Sequence, residues 1–254
     1  MTSPLQSLRE LLTREIPRLY AFGYQMSGSR KDAARYVEEL VRHVASLDER
    51  KVVGEADPAM ALLGMMARTM EESLGRRSDH SFESLDTILR SDITRPIDLN
   101  SPGMDDDPTK IHLMLWELKR TCLTSVLGCL PPGVRLSFVL TDLVGLSPQD
   151  AAEMLGIKES AYRVRLTRAR KRIEDYLAPR CYHVDRENPC TCPGRLMIAM
   201  DANFVKPPPH VLDIPHEPHD GTGPQRDVGS LYRGLPDVQL IVGELDRLLG
   251  ALPS

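Results

Sequence analysis

Hydrophobic residues along this chain recur every three or four positions, the spacing of amphipathic helices. Residues 11–47 predict two helices broken at Ser27-Gly28-Ser29, the second with Ala33, Tyr36, Val37, Leu40, Val41 and Val44 on one face. Residues 57–77 predict a third, with Leu62, Leu63, Met66, Met70 and Leu74 as its packing stripe. A three-helix bundle follows. Helix resumes at Lys110, where Ile111, Leu115, Leu118 and Cys122 share a side. Farther on, Tyr162, Leu166, Ala169, Ile173 and Leu177 make one long buried stripe. Near the end, residues 236–252 predict a short amphipathic helix carrying Val238, Ile241, Leu245 and Leu248. Alone such a helix is marginal in water, so it must dock on a neighbouring domain or on a partner.

Between the stripes lie two stretches without helical period. Residues 78–109 contain Pro96, Pro102, Pro108 and the run Asp105-Asp106-Asp107, and read as an acidic, flexible linker. Residues 204–224 hold six prolines with His210, His216 and His219, and read as an irregular segment with solvent-facing histidines. The predicted organisation is all-α. A helical domain spans 1–77, the linker 78–109, a second helical domain 110–180 and an extension 181–254.

Within the second domain, Ser147-Pro148-Gln149-Asp150 is a helix start, with serine at the N-cap and proline at the first helical position. Gly156 supplies the positive φ of a tight turn before the long stripe-bearing helix. Helix, turn and helix predict a DNA-binding unit. Ser160, Arg163, Val164, Thr167 and Lys171 point away from the stripe, flanked by Arg165, Arg168, Arg170 and Arg172. Residues 158–180 hold eight Lys/Arg against three Asp/Glu, whereas the whole chain is net −4. That local basicity suits DNA phosphates. Ser160, Arg163, Val164 and Thr167 are the candidates for base edges, and Lys158, Arg165, Arg168, Arg170 and Lys171 for phosphates.

These residues resemble a known family. Leu130-Pro131-Pro132, Leu146-Ser147, residues 151–157 (AAEMLGI) and residues 168–172 (RARKR) are similar to region four of the bacterial sigma-seventy family, in its extracytoplasmic-function (ECF) branch. The resemblance implies a transcription initiation factor that binds promoter DNA in the major groove and works with RNA polymerase core. An anti-sigma factor is a further partner it allows. Asp32, Val37, Glu38 and Glu39 resemble the region-two motif that docks on the polymerase, although Ala34 and Arg35 stand where the family usually has acidic residues. The alternative reading is a sigma-like mimic that sequesters polymerase or an anti-sigma factor without opening promoters.

The extension adds candidate chemistry. In extended backbone, Cys181/His183 and Cys190/Cys192 each project to one side, and Asn188-Pro189 helps fold the two pairs together. Three thiolates and one imidazole complete a tetrahedral set for zinc. A redox switch and a plain tail are the alternatives. Cys122 and Cys129 read as small buried apolar residues. DNA binding itself calls for no cofactor. Nothing matches a P-loop, a dinucleotide fingerprint or a nucleophile motif, so the expected protein is not an enzyme. With no apolar run of about 18 residues and no signal-like start, the expected location is the cytoplasm, without membrane insertion.

Overall fold

The computed structural model describes residues 7–90, 92–101, 108–206, 218–220 and 223–252. Among them the only β pairing is a single isolated bridge, so the chain is all-α. Helices α1 (Leu8–Ser27), α2 (Arg30–Ala45), α3 (Glu49–Val53) and α4 (Pro58–Leu74) form the N-terminal bundle. Local chemistry sets their ends. Gly28, at φ 69°, donates its N–H to the Tyr24 carbonyl and closes α1, and the Ser29 side chain caps α2 by accepting from the Asp32 N–H. The Asp57 side chain caps α4 with Pro58 at its first position. The predicted α2 face is buried throughout, and so is the α4 stripe up to half-buried Leu74.

The expected tether is more structured than its composition predicts. Residues 82–89 form α5 (Phe82–Leu89), started by a capping box in which Ser81 and Ser84 satisfy each other's backbone. Leu85 and Leu89 are buried, Phe82 stacks on Tyr176 at 4.8 Å, and the Tyr176 hydroxyl donates to Asp86. Tertiary packing, invisible in an eight-residue window, supplies the stability here. The Asp105-Asp106-Asp107 run lies outside the described residues.

Next come α6 (Pro108–Gly128) and α7 (Pro132–Phe138), which runs on into a π-helical turn over Val139–Leu143. Then come α8 (Pro148–Leu155) and α9 (Glu159–Leu177). Tyr162 of α9 joins these parts: its hydroxyl donates to the Ser137 carbonyl and meets the Thr141 hydroxyl at 2.8 Å. The α9 stripe is buried as expected, Tyr176 joining it. Each such leucine or isoleucine contributes about 1.5–3 kcal/mol over the exposed state.

The two units share one core and are clasped by a buried arginine. Arg135 of α7 is 1% exposed and donates to Asp79, to the carbonyls of Gly128 and Leu130, and to the Met26 carbonyl at the end of α1. Beyond α9 the extension folds as α10 (Cys192–Asp201), α11 (Val228–Arg233) and α12 (Glu244–Leu249). The predicted helix over 236–252 is thus confined to six residues. Gly243, at φ 82°, starts it, and Val238 is buried ahead of it in non-helical chain. Among the described residues, no helix is long and apolar enough to cross a membrane.

Candidate nucleic-acid interface and cysteine cluster

The helix-turn-helix is built as its sequence predicts. The Ser147 hydroxyl accepts from the Asp150 N–H, Pro148 opens α8, and Gly156 takes φ 66° at its end. The buried α9 stripe turns Ser160, Arg163, Val164, Thr167 and Lys171 to solvent, with Val164 49% exposed. An exposed valine on a basic helix suits contact with a thymine methyl. Lys158, the N-cap residue, and Arg168 are exposed beside them.

Several of the basic candidates already hold carboxylates. Arg163 pairs with Glu159 one turn back at 2.6 Å, and Lys171 with Asp175 at 3.1 Å. Arg170 grips Asp142 with two parallel bonds, 2.9 and 2.8 Å. Arg165 crosses to the N-terminal bundle and donates to Glu71 of α4 at 2.7 Å. Gly133 lets this pair lie over the start of α7, since a Cβ there would stand 2.6 Å from the Glu71 oxygen. Arg68 of α4 also donates to the Met154 carbonyl of α8 at 2.6 Å. The exposed pairs of Arg163 and Lys171 are worth about 0–1 kcal/mol each, so DNA phosphates can displace those two carboxylates.

The polymerase-docking candidates divide. Val37 is fully buried inside the bundle, which corrects its assignment: it supports the helix and presents nothing to a partner. Asp32, Glu38 and Glu39 lie at the surface of α2. Arg35, the departure noted above, pairs with Asp32 at 3.6 Å and Glu39 at 2.8 Å, and its guanidinium lies over the Tyr36 ring. Glu38 pairs with Arg42 at 3.0 Å and with Arg247 of α12 at 3.2 Å.

In the extension the four predicted ligands do line one small cavity, together with Cys122 and Lys119 of α6. They reach it by different pairings. Residues 181–184 turn instead of extending, and Cys192 begins α10, so neither i, i+2 pair exists. Cys181 is bridged to Cys190 through Tyr182 N–H to Cys190 O and Cys190 N–H to Arg180 O. His183 Nε2 lies 3.3 Å from Cys192 Sγ. Expected in solvent, His219 is 7% exposed and stacks edge-on with His183 at 5.7 Å. His210 and His216 lie outside the described residues. Burial pushes the His183 imidazole down to about 3, lowers His219 as well, and pushes the Cys181 thiol up to about 11. Burial raises the Cys192 and Cys122 thiols too, with the neighbouring cysteines adding to it. Cys122 thus lines the same cavity, a position its helical spacing did not signal.

The sequence family described as Sigma-70, region 4 matches residues 120–173. The chain is 29% identical over 179 residues to the ECF RNA polymerase sigma factor SigE of Mycolicibacterium smegmatis. That alignment covers 68% of this chain and 63% of the relative, so the chain spans under two thirds of that protein's length. Two solved structures are similar at a TM-score of 0.42. One is the sigma factor RpoE with the anti-sigma factor NepR from Bartonella quintana, at 17% identity over 66% of this chain and 95% of that one. The other is the Mycobacterium tuberculosis extracytoplasmic function sigma factor SigJ, at 24% identity over 76% and 59%. Residues 120–173 thus match the sigma-70 region 4 family, and the chain as a whole is similar to a sigma factor of the ECF branch.

Proposed function

We propose that this chain is a transcription initiation factor that directs RNA polymerase core to promoters, reading DNA with α9. The observation that carries this reading is the solvent-facing row Ser160, Arg163, Val164 and Thr167 on a helix rigidly seated by its opposite stripe. A rigid helix with exposed polar, basic and methyl-bearing side chains suits major-groove readout. Transcription in vitro with core polymerase on a matched promoter tests it. Promoter-specific transcripts are the expected result, and DNA binding that never recruits core would sink it.

The C-terminal extension regulates this activity by holding the chain closed. Support comes from its contacts: Arg247 on Glu38 of α2, Arg30 of α2 on the Gln239 carbonyl at 3.0 Å, and Arg120 of α6 on the Pro236 carbonyl at 3.3 Å. Leu248 and Leu249 are buried where α12 packs on α1 and α2. Meanwhile Glu71 occupies Arg165. Opening the extension frees the α2 surface around Glu38.

One observation favours the sigma-like mimic as a second reading. Asp32 and Glu39 are neutralised by Arg35, which weakens an acidic docking face. The same transcription assay separates the two, since a mimic binds core and yields no transcript.

A further inference from the structure

We infer that His183, Cys192 and His219 bind a thiophilic divalent cation of the zinc class, its fourth coordination position facing Cys181 and Cys190. The three ligand atoms already lie within 4.8 Å of one another. A tetrahedral zinc ion with ligand bonds of about 2.0–2.3 Å sets its ligands roughly 3.3–3.8 Å apart. The 3.3 Å between His183 Nε2 and Cys192 Sγ is inside that range, so only a small inward movement of His219 completes the triangle.

Space is matched to one ion. The cavity against which His183 and Cys192 stand has a volume of about 30 Å³, and Cys181, Cys190 and Cys122 share its wall. A single water occupies at least about 10–15 Å³ measured this way, so the cavity admits one small particle and little else. Mixed imidazole and thiolate donors select zinc over magnesium or calcium, which require oxygen.

The histidines are held in place from several directions. Lys119 of α6, 3% exposed, donates to the His219 carbonyl at 2.7 Å and lies over the Trp116 ring at 4.9 Å. Arg186 donates to the Asp220 carbonyl at 2.8 Å. The Gln225 N–H donates to the His183 carbonyl at 2.7 Å. Cys192 is fixed in the first turn of α10, behind the Thr191 cap. Three separate stretches of chain therefore converge: the turn after α9, the start of α10 and residues 218–220. A cation here would cross-link them, independently of whether the chain directs transcription.

The test uses the full chain, reduced, stripped with a chelator, and titrated with zinc and with cobalt. One ion per chain is expected, and the cobalt adduct should show tetrahedral d–d bands with a thiolate charge-transfer band. His219→Ala and Cys192→Ser should each weaken zinc binding by about 100-fold or more. Cys129→Ser, outside the cluster, should bind as the parent does. The cobalt spectrum reads the unsubstituted protein, so a misfolded variant cannot mask the answer. No zinc uptake by the stripped chain, or cobalt without a thiolate band, overturns the inference. Zinc binding in His219→Ala as tight as in the parent overturns it equally.

Discussion

Arg165 of α9 and Glu71 of α4 form a 2.7 Å ion pair that joins the helix proposed to read DNA to the N-terminal bundle. Both side chains are about a quarter to a third exposed. The pair contributes little to stability but occupies a cation wanted by phosphates. Glu71→Ala should therefore raise affinity for promoter DNA a few-fold, roughly the 1 kcal/mol ceiling of such a pair. Fluorescence anisotropy of the free chain on a labelled promoter measures this. Equal or weaker binding would show that Arg165 plays no part in reading DNA.

On α9, Arg163→Ala should cost about 1–3 kcal/mol and relax preference at one base position. Lys171→Ala should weaken all sequences alike and reduce the salt slope by about one. Glu159 and Asp175, the present partners of these cations, give way to DNA as exposed pairs. Footprints on a base-substituted promoter panel distinguish the two. Unchanged base preference in Arg163→Ala would mean that the helix meets DNA on another face.

Arg135→Met removes the clasp between the two units. It takes a donor from Asp79 and from the carbonyls of Met26, Gly128 and Leu130, of which Gly128 keeps the Asp79 N–H. A buried acceptor left without a donor costs about 1–3 kcal/mol. Thermal unfolding should shift down by several degrees or more, and a melting curve matching the parent's would refute the clasp.

Arg247→Glu sets a carboxylate against Glu38 and should release α12 from the bundle. Hydrogen exchange should then rise over residues 244–249, and transcription with core should increase. Faster exchange with no gain in transcription would separate α12 docking from regulation.

Gly156 turns α8 into α9 at φ 66°, and a Cβ added there would meet nothing within 4 Å. The cost of Gly156→Ala is thus conformational only, about 1 kcal/mol. Chemical denaturation should find that loss, and a neutral result would mean that the turn relaxes.

Sequence alone determined what depends on near neighbours. The Ser147 cap, the Gly28 and Gly156 turns and the α9 stripe involve residues within a few positions of one another, where propensity and periodicity act. The same short range made the basic row and its family resemblance legible. Only the tertiary structure decided the rest. Lys119 and His219 are 100 positions apart, and Arg135 and Met26 are 109 apart. No period reports such pairs. The cysteine segment illustrates the difference. Its residues do converge, but alternation assumes extended backbone, and the turn at 181–184 exchanges the partners, so that Cys181 meets Cys190 and His183 meets Cys192. Likewise Val37 belongs to both a packing face and a docking motif in the sequence, and burial against the bundle leaves it only the first. A side chain's neighbours are set by the path of the whole chain, because burial rewards contact regardless of separation along it.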